Sequence, residues 1–199
     1  MSVELLRKLG VYIDLDFLAD DLCADICSQI DSGFKVDTPL YDVDANDNIH
    51  LPKLRQSRYS DVPEATQSII ADRVKRLKPI LEAHFADRFH QRAEPAKFVL
   101  YEEGHFFAPH VDSQLHRKIN MSIYLNDEHS TAMSGGYSGG TLTLYGLFEN
   151  PAFRNKGISL MGKRGMLIAY PSATVHEVTP VTNGNRYAVI TRFLDHRAE

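Results

Sequence analysis

Apolar residues recur every fourth position at Leu18, Leu22, Ile26 and Ile30, which predicts an amphipathic helix over 17–31. Asp16 is placed to cap its start, and Gly33 follows as a stop. Before it, VYIDL (11–15) reads as a short strand, and strand pieces are expected around 34–36 and 55–59. Asp61, Val62 and Pro63 open a longer helical stretch whose stripe is Ile69, Ile70, Val74, Leu77, Leu81 and Phe85. Pro79 should kink that helix or split it in two, because proline removes a backbone donor and clashes with the preceding turn.

From residue 96 the period changes. KFVLYEE, FFAPHVD, INMSIYLN, GTLTLYG, GMLIAYP, TVHEV and NRYAVITRFL are short, rich in β-branched and aromatic residues, and separated by turn-like GGYSGG, NPAFRNKG and TNGN. Strand follows strand with no helix between, which argues for an antiparallel sandwich or barrel with the N-terminal helices on one outer sheet face. The expected class is α+β, mainly β. With 199 residues the chain reads as a single domain 1–199, helical over about 1–94 and β over about 95–195.

Composition narrows the function. Hydrophobic residues make up 43% and charged residues 24%, as in globular proteins, and a net charge of -4 gives no general pull toward nucleic acid. No apolar run reaches a membrane span, and MSVELLRKLG lacks a signal-peptide core, so a soluble, cytoplasmic protein is expected. Cys23 and Cys27 share a helix face as a redox pair or half a metal site, though small buried thiols are the commoner reading. DVDANDNIHLPK (42–53) imitates a calcium loop at Asp42, Asp44 and Asn46 but has Asp47 for the turn glycine and Lys53 for the bidentate glutamate. It reads as a solvated loop. GGYSGG has no following Lys-Ser/Thr and reads as a turn between strands.

His110-Val111-Asp112 is different. On a strand, His110 and Asp112 face the same way, roughly 6–7 Å apart, and can converge on one ion. His176 in TVHEV offers a third ligand. Two histidines and one carboxylate on one face of a metal leave the opposite positions open, an arrangement that suits non-haem Fe(II). Ten residues later, Arg186 opens the last strand, where a guanidinium can hold a carboxylate in a bidentate grip.

YEEGHFFAPHVD, INMSIYLN, SGGTLTLY and GMLIAYPSATVHEVTPVTNGNRYAVITRF resemble the prolyl 4-hydroxylase-like branch of the Fe(II)/2-oxoglutarate-dependent dioxygenases, over about residues 95–195. The resemblance implies a double-stranded β-helix (jelly roll) that uses Fe(II), 2-oxoglutarate and O2. It implies metal ligands His110, Asp112 and His176, and Arg186 on the distal carboxylate of 2-oxoglutarate beside Tyr124. It also implies Tyr101 contacting the cosubstrate near the metal. Alternation agrees, since Asn120, Ser122 and Tyr124 form a polar strand face; Tyr101 and Tyr124 as ordinary core tyrosines are the alternative. Leu142 and Leu144 would wall off water.

Two positions concern the substrate. Relatives commonly carry Trp six residues after the cosubstrate-binding basic residue; here that place is Arg192, and the chain has no Trp. Strand parity turns Arg192 inward with Arg186, unless the strand has left the barrel and the side chain is solvated. Arg117 matches a basic position at the substrate mouth of some relatives. Each also reads as a surface arginine; together they weaken the case for a peptidyl-proline substrate. The expected reaction hydroxylates an unactivated C–H bond of either a protein or peptide prolyl-type residue or a free amino acid or other small metabolite, giving succinate and CO2. A non-catalytic jelly-roll sensor that holds metal and 2-oxoglutarate is the rival.

Overall fold

The computed structural model describes residues 2–42, 47–112, 116–129, 135–153 and 155–197. The architecture is set by how the strand Arg117–Tyr124 divides its side chains. Ile119, Met121 and Ile123 pack with Ile26 and Ile30 of α2 (Asp20–Ser32) and Ile70, Val74, Leu77 and Leu81 of α3 (Glu64–Phe85). The alternate residues Asn120, Ser122 and Tyr124 point to the other face and are also buried. A strand covered on both faces carries no solvent-facing side.

Arg117–Tyr124 lies in an antiparallel sheet between Leu167–Pro171 and Arg186–Asp195. Tyr12–Asp14 extends one side, and Lys97–Tyr101, Arg58–Ser60 and Lys35–Asp37 extend the other. The second sheet runs Ile158–Leu160, Leu142–Leu144, His176–Val178, Phe106–His110 and Arg55–Gln56. Between the sheets, Leu142, Leu144, Ile158 and Leu160 meet Ile13, Tyr124, Ile168 and Tyr170. Helices on one sheet and a second sheet on its other face give the expected jelly roll with its helical cover. Among the described residues no helix is long and apolar enough to cross a membrane.

Several local expectations are corrected. α2 begins at Asp20, with Ala19 at its cap and no side-chain cap bond. Asp16 instead donates its backbone N–H to Asp14 Oδ1 in an Asx turn, and the Leu18 N–H donates to the Gly165 carbonyl, so 16–18 serve the β edge. α3 passes through Pro79 without a break. Pro79 and Lys75 lie on the exposed face, so the carbonyl that loses its helical partner meets water. Ile69 is likewise exposed and does not belong to the stripe. The run read as a turn, GGYSGG, contributes Tyr137–Gly139 as a strand against Val181–Gly184, which draws the TNGN turn into the pairing too. An unforeseen α1 (Val3–Lys8) places Leu6 in the inter-sheet cluster. Of the calcium-like loop, 43–46 lie outside the described residues, while Leu40–Asp42 and Asp47–Ile49 pair as a hairpin. Burial pushes the Cys23 and Cys27 thiols up to about 11 and about 12, which makes them inert packing groups.

Phe193 joins the helix-facing core and stacks on Phe89 at 5.4 Å. Phe193→Ala should cost about 3–5 kcal/mol in urea unfolding. Ile69→Ala on the exposed face of α3 should change stability by no more than about 0.5 kcal/mol.

Candidate metal centre

His110 ends its strand and pairs directly with His176 at the start of another. The register slips by one residue between this pair and Phe107↔Val178, so the extra residue falls at Ala108–Pro109. A proline has no N–H to lose from the ladder, which is why a bulge is tolerated there. The bulge also lets Phe107 and His110 lie on the same side, their rings stacked with centroids 3.5 Å apart.

Asp112 lies just beyond that strand. Its N–H donates to the Ser172 carbonyl at 2.9 Å, and the Ser172 hydroxyl donates to Asn120 Oδ1 at 2.9 Å. The carboxylate is thereby turned in, 3.9 Å from His110 Nε2 through Oδ1 and 3.8 Å from His176 Nε2 through Oδ2. One ligand atom from each of the three residues lies within 4.8 Å of the others. Each imidazole turns Nδ1 onto a backbone carbonyl, His110 on Ala108 at 2.8 Å and His176 on Thr174 at 2.9 Å. A donating Nδ1 fixes the tautomer that leaves the Nε2 lone pair facing the cluster. This donor set could hold a divalent ion.

The electrostatics agree. Burial, then the neighbouring His176, lowers His110 to about 3, and burial lowers His176 as well. Burial alone would raise Asp112, but Arg192, then the two imidazoles, hold it at about 2. Two neutral imidazoles and one carboxylate are the forms a metal requires.

Arg186 sits fully buried opposite Tyr101 on the neighbouring strand. Its guanidinium carbon is 4.9 Å from the Tyr101 ring centre and 5.1 Å from that of Tyr124. Gly140, at φ +60°, leaves room for it: a Cβ there would stand 3.0 Å from Arg186 Cδ. Arg186 Nε and the hydroxyls of Tyr124 and Tyr137 are buried without a hydrogen-bond partner. Donors left so in an apolar wall mark a place for an acceptor-rich group, such as a carboxylate.

Arg192 points inward, as parity requires. Nε and Nη2 donate to Asp112 Oδ2 at 3.0 and 2.7 Å, and Nη1 reaches Glu94 at 3.4 Å. Arg117 stands one step back, its Nε donating to Glu94 at 2.6 Å. Leu142 lines the same cavity as the histidines and Arg186, whereas Leu144 belongs to the inter-sheet core. Three participants escaped sequence reasoning: Arg55, Tyr137 and Glu94. Asn120 was signalled by the polar alternation of 120–124, though not the part its amide plays.

Between pH 6.5 and about 3 the unfolded chain carries a proton on His110 that the folded, metal-free chain lacks. Stability of the metal-free protein should therefore fall as pH falls through that window. His110→Gln should flatten the dependence in denaturant titrations run with chelator.

The 2OG-Fe(II) oxygenase superfamily model matches residues 96–194. A PKHD-type hydroxylase of Teredinibacter turnerae is 33% identical over 107 residues, covering 49% of this chain and 42% of that protein. The chain thus spans less than half of that relative's length. A Pseudomonas putida prolyl-4-hydroxylase superposes with a TM-score of 0.70 at 18% identity, over 97% of this chain and 96% of that one. A Trichoplax adhaerens prolyl hydroxylase, solved with a hypoxia inducible factor peptide fragment, gives 0.73 at 20% identity, over 100% and 89%. With the matched segment holding both histidines, Asp112 and Arg186, the chain belongs to the 2OG-Fe(II) oxygenase superfamily and has a prolyl 4-hydroxylase-like fold.

Proposed function

We propose that the protein is an Fe(II)- and 2-oxoglutarate-dependent hydroxylase of a small-molecule or peptide substrate, with residues 1–199 acting as one unit. The observation that carries this reading is the convergence of His110 Nε2, the Asp112 carboxylate and His176 Nε2 in one cavity with Arg186, whose Nε is buried without a hydrogen-bond partner. When bound, Fe(II) with 2-oxoglutarate and O2 supplies the oxidation that turns a C–H bond into C–OH, releasing succinate and CO2.

The chain's own residues bind and shield. His110 and His176 offer lone pairs whose direction is fixed by the Nδ1 bonds to Ala108 and Thr174. Asp112 offers the one anionic ligand. Arg186 grips the distal carboxylate of 2-oxoglutarate, with the hydroxyls of Tyr124 and Tyr137 as further donors and Tyr101 flanking the guanidinium. Burial pushes Tyr124 up to about 12, so its hydroxyl keeps its proton and remains a donor at neutral pH. Leu142, Phe107, Val178 and Ile190 supply the apolar wall that excludes water.

Arg186→Ala should raise the half-saturating 2-oxoglutarate concentration about thirtyfold or more, since losing a buried charge partner costs on the order of 2–5 kcal/mol. Fe(II) affinity should change far less. Succinate formation titrated with 2-oxoglutarate, alongside metal titration, reads both. His176→Ala should do the reverse and abolish tight metal binding; an Arg186→Ala protein with unaltered 2-oxoglutarate dependence would contradict the assignment.

A further inference from the structure

The cavity that holds the His110–Asp112–His176 cluster has a second charged end. Arg186 and Arg192 stand six residues apart on one strand, roughly 20 Å along the backbone. Arg186 is placed among its tyrosines, while Arg192 reaches the metal cluster. Arg55 enters the same cavity from the other sheet, only 5% exposed. Its guanidinium lies 4.5 Å above the centre of the Phe107 ring, which itself stacks on His110.

Charge and hydrogen bonds at this end are both unbalanced in the same sense. Among the described residues, three guanidiniums, Arg55, Arg186 and Arg192, line the cavity with a single carboxylate, Asp112. Glu94 faces Arg192 but is matched by Arg117 behind it. Ligating imidazoles are neutral, and a divalent ion and a doubly charged 2-oxoglutarate cancel one another, so the surplus of positive charge persists in the loaded site. Arg55 spends Nε on the Ser57 hydroxyl at 3.0 Å, leaving Nη2 buried with no partner. Asn120 pairs across from Arg192; its Oδ1 is taken by Ser172, and its Nδ2 is buried with no partner. Arg192 has five N–H groups, of which the contacts to Asp112 and Glu94 use three. The open positions are all donors. A buried donor-only site with surplus positive charge fits a ligand that only accepts and carries negative charge.

Resting on the hydroxylase reading above, we infer that the substrate presents a carboxylate, met by Arg192 and Arg55 with Asn120 beside them. That class is a free amino acid or a chain-terminal carboxylate, as opposed to an internal prolyl residue flanked by neutral amides. Asp112 anchors Arg192 from one edge of its fork and keeps the side chain from swinging to solvent. Arg192 therefore selects substrate at the same place where it steadies a metal ligand.

The test compares acids with their amides. The common L-amino acids, their N-acetyl forms and short peptides are each supplied as the free acid and as the primary amide, together with peptides containing internal proline. Two readouts are taken: hydroxylated product by mass spectrometry with Fe(II) and 2-oxoglutarate, and the shift in unfolding midpoint of the Zn(II)-substituted, 2-oxoglutarate-loaded protein. At least one free acid should be hydroxylated and bound about tenfold or more better than its amide. Comparison of free amino acids with peptide acids separates the two sources of the carboxylate. The acid-over-amide ratio, measured within each variant, should collapse in Arg192→Met and Arg55→Met and be partly kept in Arg192→Lys. Amides or internal prolyl peptides that equal the acids would overturn the inference, as would an unchanged ratio in both methionine variants or no acid bound at all. Absence of Fe(II)-dependent succinate formation in the unsubstituted protein would instead contradict the hydroxylase reading. The Zn(II) binding readout decides the carboxylate question independently.

Discussion

Two short strands from opposite ends of the β region meet so that His110 stands directly across from His176. Most of the candidate site depends on that one register. The bulge at Ala108–Pro109 lets the ladder end with both imidazoles on the inner side, and a slip by one residue would send one of them to the outer face. Asp112 can then close the triangle because its backbone is tied to the Ser172 carbonyl, on the segment that leads to His176. The three ligands are thus held by local backbone bonds and neighbouring strands, and not by contacts among the side chains alone.

Burying this cluster creates the electrostatic problem that the surrounding residues answer. An isolated carboxylate in such a place would take up a proton, but Arg192 keeps Asp112 ionised, while desolvation keeps both histidines neutral. The helix-covered sheet makes the precision possible. Every second residue of Arg117–Tyr124 anchors it to α2 and α3, and the residues between are free to be polar. Arg186, Ala188, Ile190 and Arg192 repeat the pattern on the adjacent strand, bringing one guanidinium to each end of the cavity.

The strand-rich half was legible because β-branched and aromatic runs separated by turn residues carry their own period, and because His-x-Asp, His and Arg fall at fixed places within it. The start of α2 was not. Phe17 and Leu18 are buried as a helix stripe would be, yet Leu18 spends its N–H on Gly165, a long-range bond that no local pattern encodes. Pro79 misled for the opposite reason: it lies on the exposed face of α3, where water can meet the carbonyl that loses its helical partner, and the helix continues through it. Tyr137 was hidden inside a glycine-rich run whose glycines admit close approach of Arg186 as well as turns. Arg55 had no signal at all, since its role arises from a two-residue strand pairing with Phe106–His110, some fifty positions away. Parity did predict the direction of Arg192, but its partner Asp112 could be seen only in three dimensions.

The account stands on one ion shared by His110, Asp112 and His176 with a dicarboxylate reaching Arg186. The most direct test is a crystal structure of the protein loaded anaerobically with Mn(II) and 2-oxoglutarate. It should show one ion within about 2.0–2.3 Å of both Nε2 atoms and an Asp112 oxygen, and the far carboxylate of 2-oxoglutarate in a two-bond contact with Arg186. An ion bound elsewhere, or 2-oxoglutarate seated away from Arg186, would contradict it.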